Sequence, residues 1–304
     1  MPPRSQLATP PWWTSDQLRR ARDEREEAFR TAWREVNQEE WVETCEVLLP
    51  QVEMMLQVTE NLRRINADHF RDNPTAWQLL RYVCAPVLSE ENFWTLVGSP
   101  KSKAVRQEYA AAVAEVISRV VDPVRFPWVA AARDPSEQER YGAVLATVVL
   151  LAAQRVGTST RGLRSQQQEA AVGAVLAAAG YDFVDSRTRI GLLDDLPRGS
   201  FSRETRVAGA KCDVPVRLLD GRLLAIECKV SSGPKNGWKR LNRETGGKAE
   251  GWRTHFGTGQ VITAVVLDGV FDLGCLLQAQ NDQGVVIFWE NDLRPLSEFL
   301  QAAR

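Results

Sequence analysis

The strongest constraint in this sequence lies between Lys211 and Val230. An extended run, Lys211 to Leu218, reaches a turn at Asp220-Gly221 and returns as Arg222 to Val230, which is apolar over much of its length. Asp-Gly between two such runs specifies a tight hairpin, because glycine supplies the positive φ that the turn requires. A strand with one face in water alternates apolar and polar residues, whereas Leu223-Leu224-Ala225-Ile226 does not alternate. Such a strand is central and covered on both faces, so the unit around it needs helices packed against a sheet.

The neighbouring segments supply those elements. Arg164 to Ala179 reads as a helix with Ala171, Val172, Val175 and Leu176 on its buried side, stopped by Gly180 and followed by a strand at Tyr181 to Val184. Beyond the hairpin a basic helix-and-loop segment runs to Phe256. Strands are then expected at Val261 to Leu267, Gly274 to Gln278 and Val285 to Trp289, with a last helix from Ser297. The first half is different in kind. From Thr14 to about Ile65, apolar residues such as Phe29, Trp33, Val36, Trp41, Leu48, Val52 and Leu56 recur at helical intervals. Thr14-Ser15-Asp16 provides a cap for a first helix, and Pro50 marks a break or kink near a second. Further helices are expected at Ala76 to Val83, Lys103 to Val121 and Glu137 to Ala153, between the turn signals Asn73-Pro74, Ser99-Pro100, Asp122-Pro123 and Asp134-Pro135. The small residues Val156-Gly157-Thr158-Ser159-Thr160 mark the boundary. The expected organisation is an all-α region, residues 1–157, followed by a mixed α/β (α+β) unit, residues 158–304. The tryptophans of the first half are expected in its core.

Five cysteines without a C-x-x-C pair, and only His69 and His255, argue for reduced thiols and against a zinc site or histidine-dependent catalysis. No apolar run reaches the length of a membrane span, and Met1-Pro2-Pro3-Arg4 does not open a signal peptide, so a cytoplasmic location without membrane contact is expected. Carboxylates and lysines must then carry any chemistry. Charge is unevenly placed: the first 150 residues hold 18 basic and 22 acidic side chains, the rest 20 and 17. Between Pro234 and Arg253 there are six basic residues against two acidic ones, a local patch that suits a groove for an anionic polymer.

Alternation along Arg222 to Val230 puts Glu227 and Lys229 on one face and Ile226, Cys228 and Val230 on the other. The hairpin partner can bring Asp213 beside Glu227. Two converging carboxylates repel unless a cation lies between them, and Mg²⁺ accepts a few carboxylate oxygens while keeping water and phosphate ligands. That combination suits phosphodiester hydrolysis, with Lys229 orienting water or stabilising developing charge in preference to acting as a base. This Glu-x-Lys is the only one in the chain.

Asp213-Val214-Pro215 with Ile226-Glu227-Cys228-Lys229 resembles the PD-(D/E)-x-K nuclease superfamily, although here proline follows the aspartate instead of preceding it. The resemblance implies a restriction-endonuclease-like mixed sheet flanked by helices, with Asp213, Glu227 and Lys229 as its catalytic residues. It also implies a further acid on the preceding helix, Glu169 of Gln168-Glu169, that helps to bind or orient metal. In the helical half, Leu79-Leu80-Arg81-Tyr82 and Pro86-Val87-Leu88-Ser89-Glu90-Glu91-Asn92 are similar to XamI-type restriction endonucleases. That resemblance implies a Mg²⁺-dependent type II enzyme cutting both strands of double-stranded DNA at a short palindrome, acting as a homodimer and accompanied by a cognate methyltransferase. The helical region would serve DNA recognition, dimerisation or both.

The basic segment follows the catalytic strand directly. Lys235, Lys239, Lys248 and Arg253 are expected to contribute to DNA binding, chiefly through phosphates for the lysines, and Asn236, Arg240 and Arg243 have planar donors suited to base edges. Two other readings share these residues: a structure-specific repair or recombination nuclease, and a DNA-binding module without catalysis. Asp194-Asp195 is read as loop with no assigned role.

Overall fold

The computed structural model describes residues 7–185 and 189–304, with the side chains of 33–37 and 158–163 excepted. The readings that rest on Met1 to Arg4, on the side chains of Trp33 and Val36 and on those of Thr158 to Thr160 therefore lie outside the described residues. The chain forms two compact units, one of residues 1–34 with 160–304 and one of residues 35–159.

The unit of residues 35–159 is helical. It contains most of α1 (Ser15–Val58), then α2 (Ala67–Asp72), α3 (Trp77–Leu80), α4 (Glu90–Val97), α5 (Ala110–Arg119), α6 (Pro127–Ala130) and the first half of α7 (Glu137–Ala178). Thr14 caps α1 as the sequence suggests: its hydroxyl accepts from Gln17 N at 3.3 Å while Gln17 returns a bond to Thr14 N at 2.8 Å. Two helices were expected where α1 runs unbroken through Pro50. The wholly buried Leu48, Val52 and Leu56 line one side of the helix across the proline, and burial of that stripe offsets the lost hydrogen bond. Trp77, Trp94 and Trp128 are core residues, as expected, whereas Trp12 is exposed and Trp13 packs in the other unit. Trp77 stacks on Phe93 at 4.9 Å and meets Trp94 edge-on at 5.0 Å, while Trp128 Nε1 donates to Asn61 O at 2.8 Å.

The other unit is built on a six-stranded mixed sheet in the order β1-β2-β5-β6-β7-β8, from β1 (Asp182–Phe183), β2 (Ser200–Phe201), β5 (Val214–Arg217), β6 (Leu223–Ser232), β7 (Val261–Val270) and β8 (Val286–Trp289). Strands β3 (Thr205–Val207) and β4 (Ala210–Cys212) form a separate pair. The expected hairpin is present: β5 and β6 are antiparallel, with Val214 opposite Ile226 and Val216 opposite Leu224. Strand β6 is also parallel to β7, and β7 to β8, which makes β6 central. Helix crossovers make the parallel links: α8 (Pro234–Trp238), a π-helical stretch (Lys239–Thr245) and α9 (Gly246–Phe256) between β6 and β7, then α10 (Leu273–Asn281) before β8. Helix α11 (Arg294–Ala302) closes the chain.

The two faces of the sheet are covered by different helices. Leu224, Ile226 and Cys228 of β6 pack with Val172 and Leu176 of α7 and Leu296, Phe299 and Leu300 of α11. On the opposite face Leu223 and Ala225 pack with Trp252 of α9, and Val265 and Leu267 of β7 pack with Leu241, Ala249 and Leu276. Double coverage explains the unalternating apolar run of β6.

Residues 137–178 form one helix through the small residues 156–160, and the division between the two units falls inside it, at 159/160; isolated glycine and β-branched residues cost a helix interior only about 1 kcal/mol or less each. Gly274 to Gln278 is helical instead of extended. Asp272 caps that helix, accepting from Gly274 N at 2.8 Å and Cys275 N at 3.3 Å, and a short apolar run does not by itself separate helix from strand. The residues before Arg34 pack with the sheet unit: Leu18 is wholly buried there, and Trp13 Nε1 donates to Ile287 O at 2.6 Å. Arg25 forms an ion pair with Asp268 of β7.

Candidate active site

Glu227 and Lys229 project from the middle of β6 on the α9 side of the sheet, as strand alternation requires. Asp213 sits at the junction of β4 and β5 and is brought to them by the β5–β6 register. Lys229 Nζ lies 2.7 Å from Asp213 Oδ2 and 2.9 Å from Glu227 Oε2. The backbone N–H of Cys228 also donates to Asp213 Oδ2, at 2.8 Å, which fixes the carboxylate from the strand itself. The three residues singled out in the sequence therefore converge on one point.

The cluster is dry. Glu227 is wholly buried and the side chains of Asp213 and Lys229 are 14% and 12% exposed. Burial disfavours the charged form of Lys229, but Glu227 and Asp213 outweigh it and hold the ammonium pKa above its ordinary value. The two acids thus favour the charged ammonium. Burial, reinforced by Glu227 and Asp213, pushes the Cys212 thiol well above its ordinary pKa, and burial with Asp213 does the same to Cys228. Neither can supply a thiolate nucleophile. All five cysteines are free.

Glu169 on α7 is within electrostatic reach of this cluster. Its carboxyl pKa is raised, first by burial and then by the Asp213 charge, while a 3.4 Å bond from Ser165 Oγ and the charge of Lys229 oppose the rise. A carboxyl whose folded-state pKa is raised costs stability once the unfolded chain would ionise it. Glu169→Gln should therefore leave Tm unchanged below the ordinary carboxylate range and raise it above that range, measured calorimetrically in EDTA. Equal Tm values at every pH would contradict the placement of Glu169 beside Asp213.

Whether these residues suit a metal ion turns on Glu227. Its Oε1 is buried and has no hydrogen-bond partner among the described residues, a costly state for a carboxylate oxygen that a cation would relieve. No group of three or more His, Cys, Asp or Glu side chains arranged to hold a metal occurs among the described residues. A two-carboxylate site nonetheless fits Mg²⁺, which binds through one or two carboxylates and completes its octahedron with water and phosphate oxygens. The donor set fits the ion.

The basic segment divides. Lys235, Lys239 and Arg243 are exposed, and Asn236 is half-buried. Arg240 Nη1 donates to Val230 O at 2.9 Å and Arg253 Nη1 to Gln283 O at 2.7 Å, so each commits a donor to the protein backbone. Lys248 was grouped with the DNA-binding residues, yet its Nζ lies 2.6 Å from Glu227 Oε2. Sequence reasoning missed that contact. The signal was present: Leu241, Thr245, Ala249 and Trp252 mark the buried stripe of the helix, and Lys248 follows Thr245 by three positions and precedes Trp252 by four, which places it on the flank of that stripe. Asp194 pairs with Arg217 at 3.0 Å, and Asp195 accepts from the backbone N–H groups of Gly191 and Leu192 at 2.8 and 2.7 Å.

A mixed sheet with two acids and a lysine meeting on its central hairpin is the framework of a nuclease, and comparisons with known proteins define the class. A family model described as XamI restriction endonuclease matches residues 60–289. The type II restriction enzyme XamI of Xanthomonas campestris pv. amaranthicola is 38% identical over 189 residues, which cover 61% of this chain and 69% of that relative. No solved structure matches the chain. The protein is a site-specific endonuclease of the type II restriction class. It belongs to the XamI restriction endonuclease family.

Proposed function

We propose that this chain uses Mg²⁺ to hydrolyse both strands of double-stranded DNA at a short palindromic sequence, with Asp213, Glu227 and Lys229 as the catalytic residues. The observation that carries the reading is the wholly buried Glu227, joined to Asp213 through Lys229, with an oxygen lacking any partner among the described residues. Glu227 Oε1 and Asp213 would hold the cation. When bound, the ion supplies neutralisation of the scissile phosphate and a lowered pKa for a coordinated water. Lys229, kept charged by its two acids, positions the attacking water and stabilises charge developing on the phosphate. Glu169 acts from behind Asp213, adding negative charge that strengthens cation binding and orienting water.

Lys235 and Lys239 are suited to phosphate contacts, and Asn236 and Arg243 to base edges. Arg240 and Arg253 add positive charge along the same segment, whereas Lys248 is turned onto Glu227. The unit of residues 35–159 is assigned to DNA recognition, dimerisation or both, because two antiparallel strands of a palindrome present two-fold symmetry that a homodimer matches. A chain with this activity needs a methyltransferase of the same specificity wherever its own host DNA is exposed to it, and we assign both to the cytoplasm.

Digestion of a sequenced plasmid tests the reading. Discrete fragments whose ends map to one short symmetric sequence, formed in Mg²⁺ and absent in EDTA, are expected. A continuous smear, cleavage at branched structures alone, or cleavage that persists in EDTA would overturn it.

A further inference from the structure

Lys248 stands outside the Asp213, Glu227 and Lys229 set, on a helix that the chain reaches about twenty residues later. Its ammonium is nevertheless the nearer of two on Glu227 Oε2, at 2.6 Å against 2.9 Å for Lys229. Both lysines thus converge on one oxygen of a carboxylate that is wholly buried, and the other oxygen receives no hydrogen bond among the described residues. The Lys248 side chain is 23% exposed, so its head reaches inward from the flank of the buried stripe of α9. A buried carboxylate held on one oxygen by two cations cannot rotate without breaking two charge-assisted bonds.

We propose that Lys248 is a positioning residue for the cleavage reaction: together with Lys229 it engages Glu227 Oε2, so that Glu227 offers only Oε1 to a single divalent cation. The inference rests on the reading of Asp213 and Glu227 as cation ligands and goes beyond it in fixing the mode and number of the cations. Charge supports the same conclusion. Asp213 and Glu227 meet two ammonium groups, so a single divalent ion already gives a positive centre for the scissile phosphate. A second ion at Glu227 Oε2 would have to displace Lys248.

The consequence is a pair of opposed effects that loss of packing does not give. Lys248→Met keeps much of the aliphatic stem but removes a positive charge beside the cation, so calorimetric titration with Ca²⁺ should show binding tightened by about tenfold. Single-turnover cleavage in saturating Mg²⁺ should fall by about 10- to 100-fold, as for other groups that orient a metal ligand. Binding of a cognate duplex in Ca²⁺ should stay unchanged, and Lys248→Arg should restore both values toward those of the parent. The parent should take up one Ca²⁺ per chain. Weaker Ca²⁺ binding with a lowered Tm would make Lys248 a structural residue. Unchanged Ca²⁺ binding with weaker duplex binding at every sequence would make it a phosphate contact. Either result overturns the proposal, as does uptake of two ions by the parent. Glu227→Gln separates the two levels: if it still binds Ca²⁺ and cleaves, the underlying ligand reading fails. If it loses both while Lys248→Met behaves as the parent, only the role of Lys248 fails.

Discussion

Asp213→Ala and Glu227→Gln should each lower the single-turnover cleavage rate by about 1000-fold or more while leaving specific duplex binding in place. Each removes a carboxylate that would hold the cation, and about 4 kcal/mol of lost transition-state stabilisation corresponds to three decades in rate. The choice of substitutions follows from the packing. Asp213 is close to the surface, so truncation is tolerable, but it accepts bonds from Cys228 N and Lys229 Nζ and its loss frees both. Glu227 is wholly buried between two lysines. Alanine there would leave the two ammonium groups facing each other, whereas glutamine keeps the shape. Rates from quenched-flow gels and affinities measured in Ca²⁺ separate chemistry from binding. Cleavage within tenfold of the parent by either variant would remove that residue from the cation site.

Lys229→Met is the second large effect, and it has a stability component with a defined dependence on metal. Without Lys229 the acids Asp213 and Glu227 lose the cation that joins them, and breaking a buried pair costs about 3–5 kcal/mol. The sign of the linkage is set by the raised pKa of Lys229. A base whose folded-state pKa is raised contributes stability that is complete below its ordinary pKa and is lost only as pH climbs through the raised value. The loss in the variant is therefore fully expressed at neutral pH. In EDTA its Tm should fall well below that of the parent, and saturating Mg²⁺ should restore more of the Tm than it adds to the parent, because the ion replaces the missing charge. Cleavage should remain at least about 100-fold low in that metal, since the Lys229 ammonium that positions water is gone. A variant whose Tm responds to Mg²⁺ no more than the parent's would contradict a cation site between these acids.

The parts of this fold that were legible in the sequence are those where local and long-range preferences agree. Asp220-Gly221 between an extended run and a doubly buried one specified β5, β6 and their register, and with it the meeting of Asp213, Glu227 and Lys229. The parts that were not legible are those decided by packing. Gly157 and its small neighbours weaken a helix locally, but Ala152, Val172 and Leu176 are buried on either side and α7 continues through them. Gly274 to Gln278 carries too few apolar residues to show a period, and the Asp272 cap decided its state. Lys248 was read as a groove charge because a strand contact twenty residues away leaves no mark on neighbouring residue types; only its place beside the Leu241, Ala249 and Trp252 stripe indicated an inward direction. The packing of Trp13 and Leu18 against the sheet unit is likewise a contact across more than 250 positions, which no local pattern encodes.

The proposed centre depends above all on a divalent cation held by Asp213 and Glu227, and anomalous diffraction from crystals grown with Mn²⁺ would locate that ion directly. One peak at about 2.1 Å from Glu227 Oε1 and from an Asp213 carboxylate oxygen, with Lys248 still on Glu227 Oε2, is the expected result. A peak elsewhere in the molecule, or none at these carboxylates in crystals of an enzyme that cleaves DNA in Mn²⁺, would contradict it.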